Sequence, residues 1–157
     1  MKTHRVNNKP LMRLLGSVVI GMTMLSTNAQ AKSALELSCS ILKGFLKNGG
    51  SGGAKAVFAI TDHWRKQDRA KVFPNLSPSF ERFKYYGGDV FVVDDFGAQF
   101  KEHLIVLDAG PLNSVFLRVR YAGHKGEMLF MNVDFNSKYE KIVKYPFAQK
   151  PAKLDCK

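Results

Sequence analysis

The rhythm of the chain changes at Gly87-Gly88, and that change narrows the fold more than any other feature. Beyond it, apolar residues run in short stretches separated by turn-forming residues, the pattern of antiparallel strands. Four strands are expected. They are 89–95, closed by Asp95-Phe96-Gly97, and 99–108, closed by Ala109-Gly110-Pro111; then 114–121, ending at Ala122-Gly123-His124-Lys125-Gly126, and 127–136. The third alternates cleanly: Val115, Leu117, Val119 and Tyr121 share one face, and Phe116, Arg118 and Arg120 the other.

Ahead of the glycines the period is helical. Residues 33–46 place Leu35, Leu37, Ile41, Leu42, Phe45 and Leu46 at spacings of three and four, with Lys43 and Lys47 toward water. Asn48-Gly49-Gly50-Ser51-Gly52-Gly53 is expected to stop that helix as a flexible connector, because glycine holds helical geometry poorly. It lacks the Lys-Ser/Thr ending and the preceding strand of a phosphate-binding P-loop. Residues 54–72 form a second helical stretch around Val57, Phe58, Ile60, Trp64 and Val72, with a break at Thr61-Asp62. Phe73-Pro74-Asn75-Leu76 reads as a turn. Ser77 then caps a further helix with Pro78 in its first position, carrying Phe80, Phe83 and Tyr86 inward until Gly87-Gly88 ends it. Helices first and hairpin-linked strands afterwards make an α+β domain with N-terminal helices packed against a four-stranded antiparallel sheet. A turn of helix is expected within 137–143, and an irregular tail over 144–157.

The chain opens with Lys2, Arg5, Lys9 and Arg13, an apolar run at 14–25, and Asn28-Ala29-Gln30-Ala31. This is the pattern of an export signal cleaved after Ala31. The run is shorter than the roughly 20 residues that span a bilayer, and nothing later is longer, so no integral span is expected after cleavage. Taking 31 residues from 157 leaves 126 for a periplasmic or secreted protein, sized for one domain over 32–143. It keeps 20 basic side chains against 13 acidic ones, scattered without any long block, which reads as a solvated basic surface. Export also argues against nucleic acid as a partner. Cys39 and Cys156, an even count in an oxidising compartment, are expected to form one disulfide that pins the tail. The alternative is a buried free thiol at Cys39 and a tail thiol at Cys156.

Gly110-Pro111-Leu112 precedes a long strand and a glycine turn; the closing strand ends Val133-Asp134-Phe135-Asn136, and Tyr139-Glu140-Lys141-Ile142-Val143 follows. In these strings and in its element order, the chain resembles the nuclear transport factor 2-like superfamily over roughly 33–143. The resemblance implies a cystatin-like α+β cone, a curved sheet wrapped around the helices with a pocket often open at one end. In particular it looks like small exported members without an assigned function. Family members include enzymes, small-molecule binders and protein-association modules, some of them homodimers through the outer sheet face. The Gly49–Gly53 stretch is longer than the family pattern, and the cystatin-type Gln-x-Val-x-Gly string is absent.

Enzymes of such a cone place an Asp–His or Asp–Tyr pair in its interior, so the resemblance directs attention to Asp62 with His63, His103 with Asp108, and Tyr85, Tyr86 and Tyr121. Asp62 and His63 are adjacent, so on a helix their side chains diverge. His103 and Asp108 lie five apart on one strand, hence on opposite faces. Asp108 points inward if Phe100, Leu104 and Val106 form the core face; His103 does if Ile105 and Leu107 form it. The sequence holds no nucleophile elbow, dinucleotide fingerprint or zinc spacing, so no metal or cofactor is expected. The heavy aromatic load is mostly core, with a minority left to line an apolar pocket. Trp64, His103, Asp108 and Tyr121 are the candidate pocket or polar-site residues. Arg118 and Arg120, about 7 Å apart on one strand face, are the candidate clamp for a carboxylate or acidic partner. The expectation is an exported binding or protein-interaction module with a small apolar ligand pocket. A small-molecule hydratase, isomerase or hydrolase using a buried acid or His is the alternative. An envelope accessory protein that uses its basic surface is a third reading.

Overall fold

Ser33 opens the first helix, α1 (Ala34–Ala59), through a reciprocal cap. Its hydroxyl accepts from the Glu36 amide, and the Glu36 carboxylate accepts from the Ser33 amide at 2.7 Å. The computed structural model describes residues 32–143 and 150–157; the expected export signal and segment 144–149 lie outside them.

The glycine run is not a connector. Helical geometry is interrupted only at Asn48 and Gly49, where φ of +61° and ψ of −150° at Gly49 suit a residue without Cβ. There the chain reverses, so α1 is two arms folded onto one another. Gly44 and Gly52 meet so closely that a Cβ on Gly52 would lie 2.2 Å from the Gly44 carbonyl oxygen. In an unbroken helix, positions eight apart are separated by about 12 Å. Gly53 likewise leaves room for the Phe45 ring, and Gly50 for the Phe80 backbone. The glycines are therefore the packing surface of a helical hairpin.

Helix α2 (Lys66–Phe80) also departs from expectation. It runs through Pro74 and Pro78, so Phe73-Pro74-Asn75-Leu76 is not a turn and Ser77 caps nothing. Each proline removes one helical hydrogen bond. Packing overrides that loss: Phe73 meets Phe58 edge to face at 4.6 Å, and Leu76 and Phe80 are buried. Residues 73, 76 and 80 keep one helical face against the rest of the protein. The helix stops at Phe80, well before Gly87-Gly88, and Tyr86 is 63% exposed rather than inward.

The strands follow the expected meander: β1 (Gly87–Asp95), β2 (Phe100–Asp108), β3 (Ser114–His124) and β4 (Glu127–Asn136). The sheet has five strands, however, all antiparallel and not closed, in the order β4-β3-β2-β1-β5. The tail supplies β5 (Ala152–Leu154), which pairs Val90 with Leu154 and Val92 with Ala152. Three residues carry no readable strand pattern; the pairing is made locally dense by a disulfide and by an ion pair between Lys153 and Asp89 at 2.7 Å. Cys39 on α1 is bonded to Cys156, just past β5, across a separation of 117 positions. A short helix, α3 (Tyr139–Ile142), lies where a helical turn was expected.

The core lies between the helices and one sheet face, where Ile41, Phe45, Val57 and Phe80 meet Ile105, Leu107, Leu117, Val119 and Tyr121. The other face is not bare. Val93, Leu104 and Ile142 are buried there, with Phe91, Val106 and Phe116 packed on them.

Two stability outcomes follow from these contacts. Cys39→Ser is expected to lower the melting temperature without reductant, with a ceiling of about 4.7 kcal/mol for so long a loop; identical melting of variant and wild type would show that the bond contributes nothing. Gly52→Ala is expected to destabilise by about 1–3 kcal/mol through overpacking, while Gly87→Ala, where a Cβ meets nothing within 4 Å, stays within about 0.5 kcal/mol. Equal denaturation midpoints for the two would argue against the helical hairpin.

Candidate functional site

Three places gather polar or apolar side chains in a way that packing alone does not require. The first lies inside the core. His103 projects inward from β2 beside Ile105 and Leu107, so Asp108 points out. Ser38 of α1 reaches both sheet residues: its Oγ is 2.8 Å from His103 Nδ1 and 2.6 Å from the Tyr121 hydroxyl. The arrangement that gives each hydroxyl proton an acceptor has Tyr121 donating to Ser38 and Ser38 donating to His103. The imidazole then carries its proton on Nε2. Ser38 sits on the same helical stripe as Ala34, Ile41 and Phe45, so a polar residue on an apolar face was the available signal.

Burial pushes the His103 imidazole down to about 4; the Lys101 charge acts in the same direction and Asp95 opposes it. Burial also pushes the Tyr121 phenol up, with the Ser38 bond partly offsetting it. Both groups are therefore neutral at pH 7, closed in a packed interior at 2% and 0% exposure.

The second place is the outer sheet face. Arg118 and Arg120 do converge on a carboxylate, but it belongs to this chain. Glu102, 2% exposed, accepts from Arg118 Nε and from Arg120 Nε, the latter at 3.0 Å. Arg120 also pairs with Asp134 at 3.0 Å, and Arg118 Nη1 donates to the Ile142 carbonyl at 3.3 Å. Two guanidiniums facing two carboxylates form a satisfied network, not a basic surface awaiting a partner. The β2–β3 register that sets Glu102 opposite Arg120 could not be read from either strand alone.

The third place lies between the second arm of α1 and the first half of α2. Phe58, Trp64, Ala70, Phe73 and Pro74 wall an open, mainly apolar depression of about 600 Å³, with Asp62, Lys66 and Arg69 at its edge. Phe58 is 43% exposed in it. The Arg69 guanidinium lies 3.8 Å over the Phe58 ring and its Nη2 donates to the Phe58 carbonyl at 3.1 Å. Its Nε is shielded from solvent and has no hydrogen-bond partner among the described residues. Trp64 is held rigidly: its indole Nε1 donates to the Phe130 carbonyl at 3.0 Å, an oxygen that His63 Nε2 also approaches at 2.8 Å.

The four pocket candidates thus separate. His103 and Tyr121 meet inside the core through Ser38, which sequence reasoning missed. Trp64 borders the apolar depression, together with the missed Phe58, Arg69 and Phe73. Asp108 is exposed at the end of β2, where its Oδ1 accepts from the Gly110 amide at 2.9 Å in a turn. Asp62 turns its Oδ1 onto the His63 amide at 2.9 Å, and the His63 ring nitrogen stands 3.6 Å off. Among the described residues no cluster of three or more His, Cys, Asp or Glu is placed to hold a metal ion, and no helix is long and apolar enough to cross a membrane. No family model, curated protein or solved structure matches the chain.

The pH dependence of stability tests the interior. A folded value for His103 below the ordinary 6.5 means that the unfolded chain takes up the proton first. The neutral ring's contribution is complete above pH 6.5 and is lost as pH falls toward 4, at up to about 1.4 kcal/mol per unit. Carboxylates held low, such as Asp95 beside Lys101, lose theirs only at lower pH. Urea unfolding between pH 7 and 4.5 is expected to show this slope, and His103→Gln to flatten it. A slope equal in both proteins would mean that the ring titrates normally.

Proposed function

We propose that this is an exported binding protein on a nuclear transport factor 2-like scaffold, and that it takes a small, largely apolar ligand between α1 and α2. The scaffold reading is supported by helices that precede an antiparallel meander and cover one of its faces, and by the Gly110-Pro111-Leu112 turn before the longest strand. The Cys39–Cys156 bond supports export to the periplasm or beyond, since such bonds persist in oxidising compartments.

The single observation that carries the ligand reading is the depression walled by Phe58, Trp64, Phe73 and Pro74. At about 600 Å³ it falls in the range of small-molecule sites, and its walls are aromatic on two sides. A cone of this family would offer its pocket inside the sheet. Here that space is filled by Phe45, Phe80, Tyr121 and Phe130, each at most 1% exposed. The same filling disfavours the hydratase, isomerase or hydrolase alternative, because His103 sits in packed surroundings rather than beside room for a substrate. The outer-face arginines are neutralised within the chain, which leaves an acidic protein partner without its expected clamp.

Trp64 is the sole tryptophan, so ligand entry reports on itself. Titration with the neutral apolar probe N-phenyl-1-naphthylamine is expected to saturate at one site and to shift Trp64 emission. Ala70→Phe, which fills the depression from an exposed helical position, is expected to abolish both signals while leaving far-ultraviolet circular dichroism unchanged. Saturation that persists in Ala70→Phe, or its absence in the wild type, would end this reading.

A further inference from the structure

Resting on the pocket reading above, we infer that the ligand is a free amphiphilic acid: an apolar body against Phe58, Phe73 and Trp64, and an anionic head at Lys66 and Arg69.

The charges around the depression are unevenly committed. Arg65, next to Lys66, is paired with Asp68 at 2.7 and 3.2 Å, which offsets its charge. Asp62, the one acid at the edge, has its carboxylate turned to the His63 amide and lies beside the His63 ring. Its side chain is 86% exposed and Lys66 is exposed as well, so water screens both charges. Among the described residues Lys66 has no ion-pair partner. Among the described residues, two cations thus face an apolar hollow against one acid.

Arg69 adds a donor to this charge. Its Nε is shielded from solvent and has no acceptor among the described residues, so a ligand in the depression would meet the guanidinium through its terminal nitrogens. The guanidinium is stacked on Phe58, itself nearly half exposed, so Arg69 is part of the wall rather than buried beneath it. A carboxylate beside a guanidinium and an ammonium meets both the geometry and the charge. A neutral apolar molecule would use the rings and leave both cations unmet. A cationic one would meet Lys66 and Arg69 head-on.

The test compares ligands of one chain length against the full-length oxidised protein. Monomeric dodecanoate, dodecanol and dodecyltrimethylammonium each compete with N-phenyl-1-naphthylamine, with Trp64 emission as a second signal. Dodecanoate is expected to bind at least fivefold more tightly than dodecanol. Lys66→Gln is expected to remove roughly fivefold from dodecanoate alone, the size of one partly exposed charge contact. Equal affinity for dodecanoate and dodecanol would overturn the anionic head while the apolar site stands. Tightest binding of dodecyltrimethylammonium would overturn it in favour of Asp62. Failure of all three to displace the probe would remove the apolar site itself. A last arm uses phosphatidylglycerol vesicles: if they shift Trp64 and monomeric dodecanoate does not, the anion belongs to a membrane surface and the free-acid reading is wrong.

Discussion

The backbone-to-backbone approach of Gly44 and Gly52 is the contact on which the rest of the structure depends. Only where both residues lack a Cβ can the two arms of α1 close to this distance, and only a residue like Gly49 makes the reversal between them. Closure sets Phe45 beneath Gly53 and edge-on to Phe80 and Tyr85, at 4.9 and 5.0 Å. Gly50 then admits the backbone of Phe80, which fixes the end of α2. The apolar depression lies between this second arm and the first half of α2, beside the contact of Phe58 with Phe73.

The sheet carries polar groups on both faces, and the two sets have different physical character. Inside, Tyr121, Ser38 and His103 form a neutral chain that ties α1 to β2 and β3 with directional bonds. Such a chain adds register to a core whose apolar contacts are non-directional. Outside, Glu102 is nearly inaccessible and is compensated by two arginines, which also reach Asp134 and the Ile142 carbonyl. Removing one member of that set would leave a buried charge unpaired, which is why the set reads as structural. The basic surplus of the chain therefore resides elsewhere, in scattered lysines such as Lys66.

The far edge of the sheet shows how a covalent link supplements weak local pairing. Three residues of β5 cover the outer edge of β1 at Val90, Phe91 and Val92. Alone, so short a strand is marginal. The Cys39–Cys156 bond holds it near the first arm of α1, which in turn packs on β1 and β2. The chain thus closes one exposed edge with its own tail, and the loop 61–65 covers part of the other by placing His63 and Trp64 on the Phe130 carbonyl.

By itself, the sequence determined the layer order, the four meander strands and the alternation of β3, and it offered the pairing of the cysteines beside a free-thiol alternative. All of these follow from local periodicity, turn residues and an even thiol count. Periodicity also offered two faces for β2, and the burial of Ile105 and Leu107 decided between them, turning His103 in and Asp108 out. Tertiary structure alone decided that four glycines pack a helical hairpin, that α2 continues through two prolines, and that a tail segment becomes a strand. In each case contacts between residues distant in sequence outweighed a local preference. It also decided which candidates meet. Ser38 with His103 and Tyr121 lie 65 and 83 positions apart. Glu102 with Arg118 and Arg120, and Phe58 with Arg69 and Phe73, are likewise brought together only by register and by the fold of α1. No spacing rule links such residues, because their separation along the chain is unrelated to their separation in space.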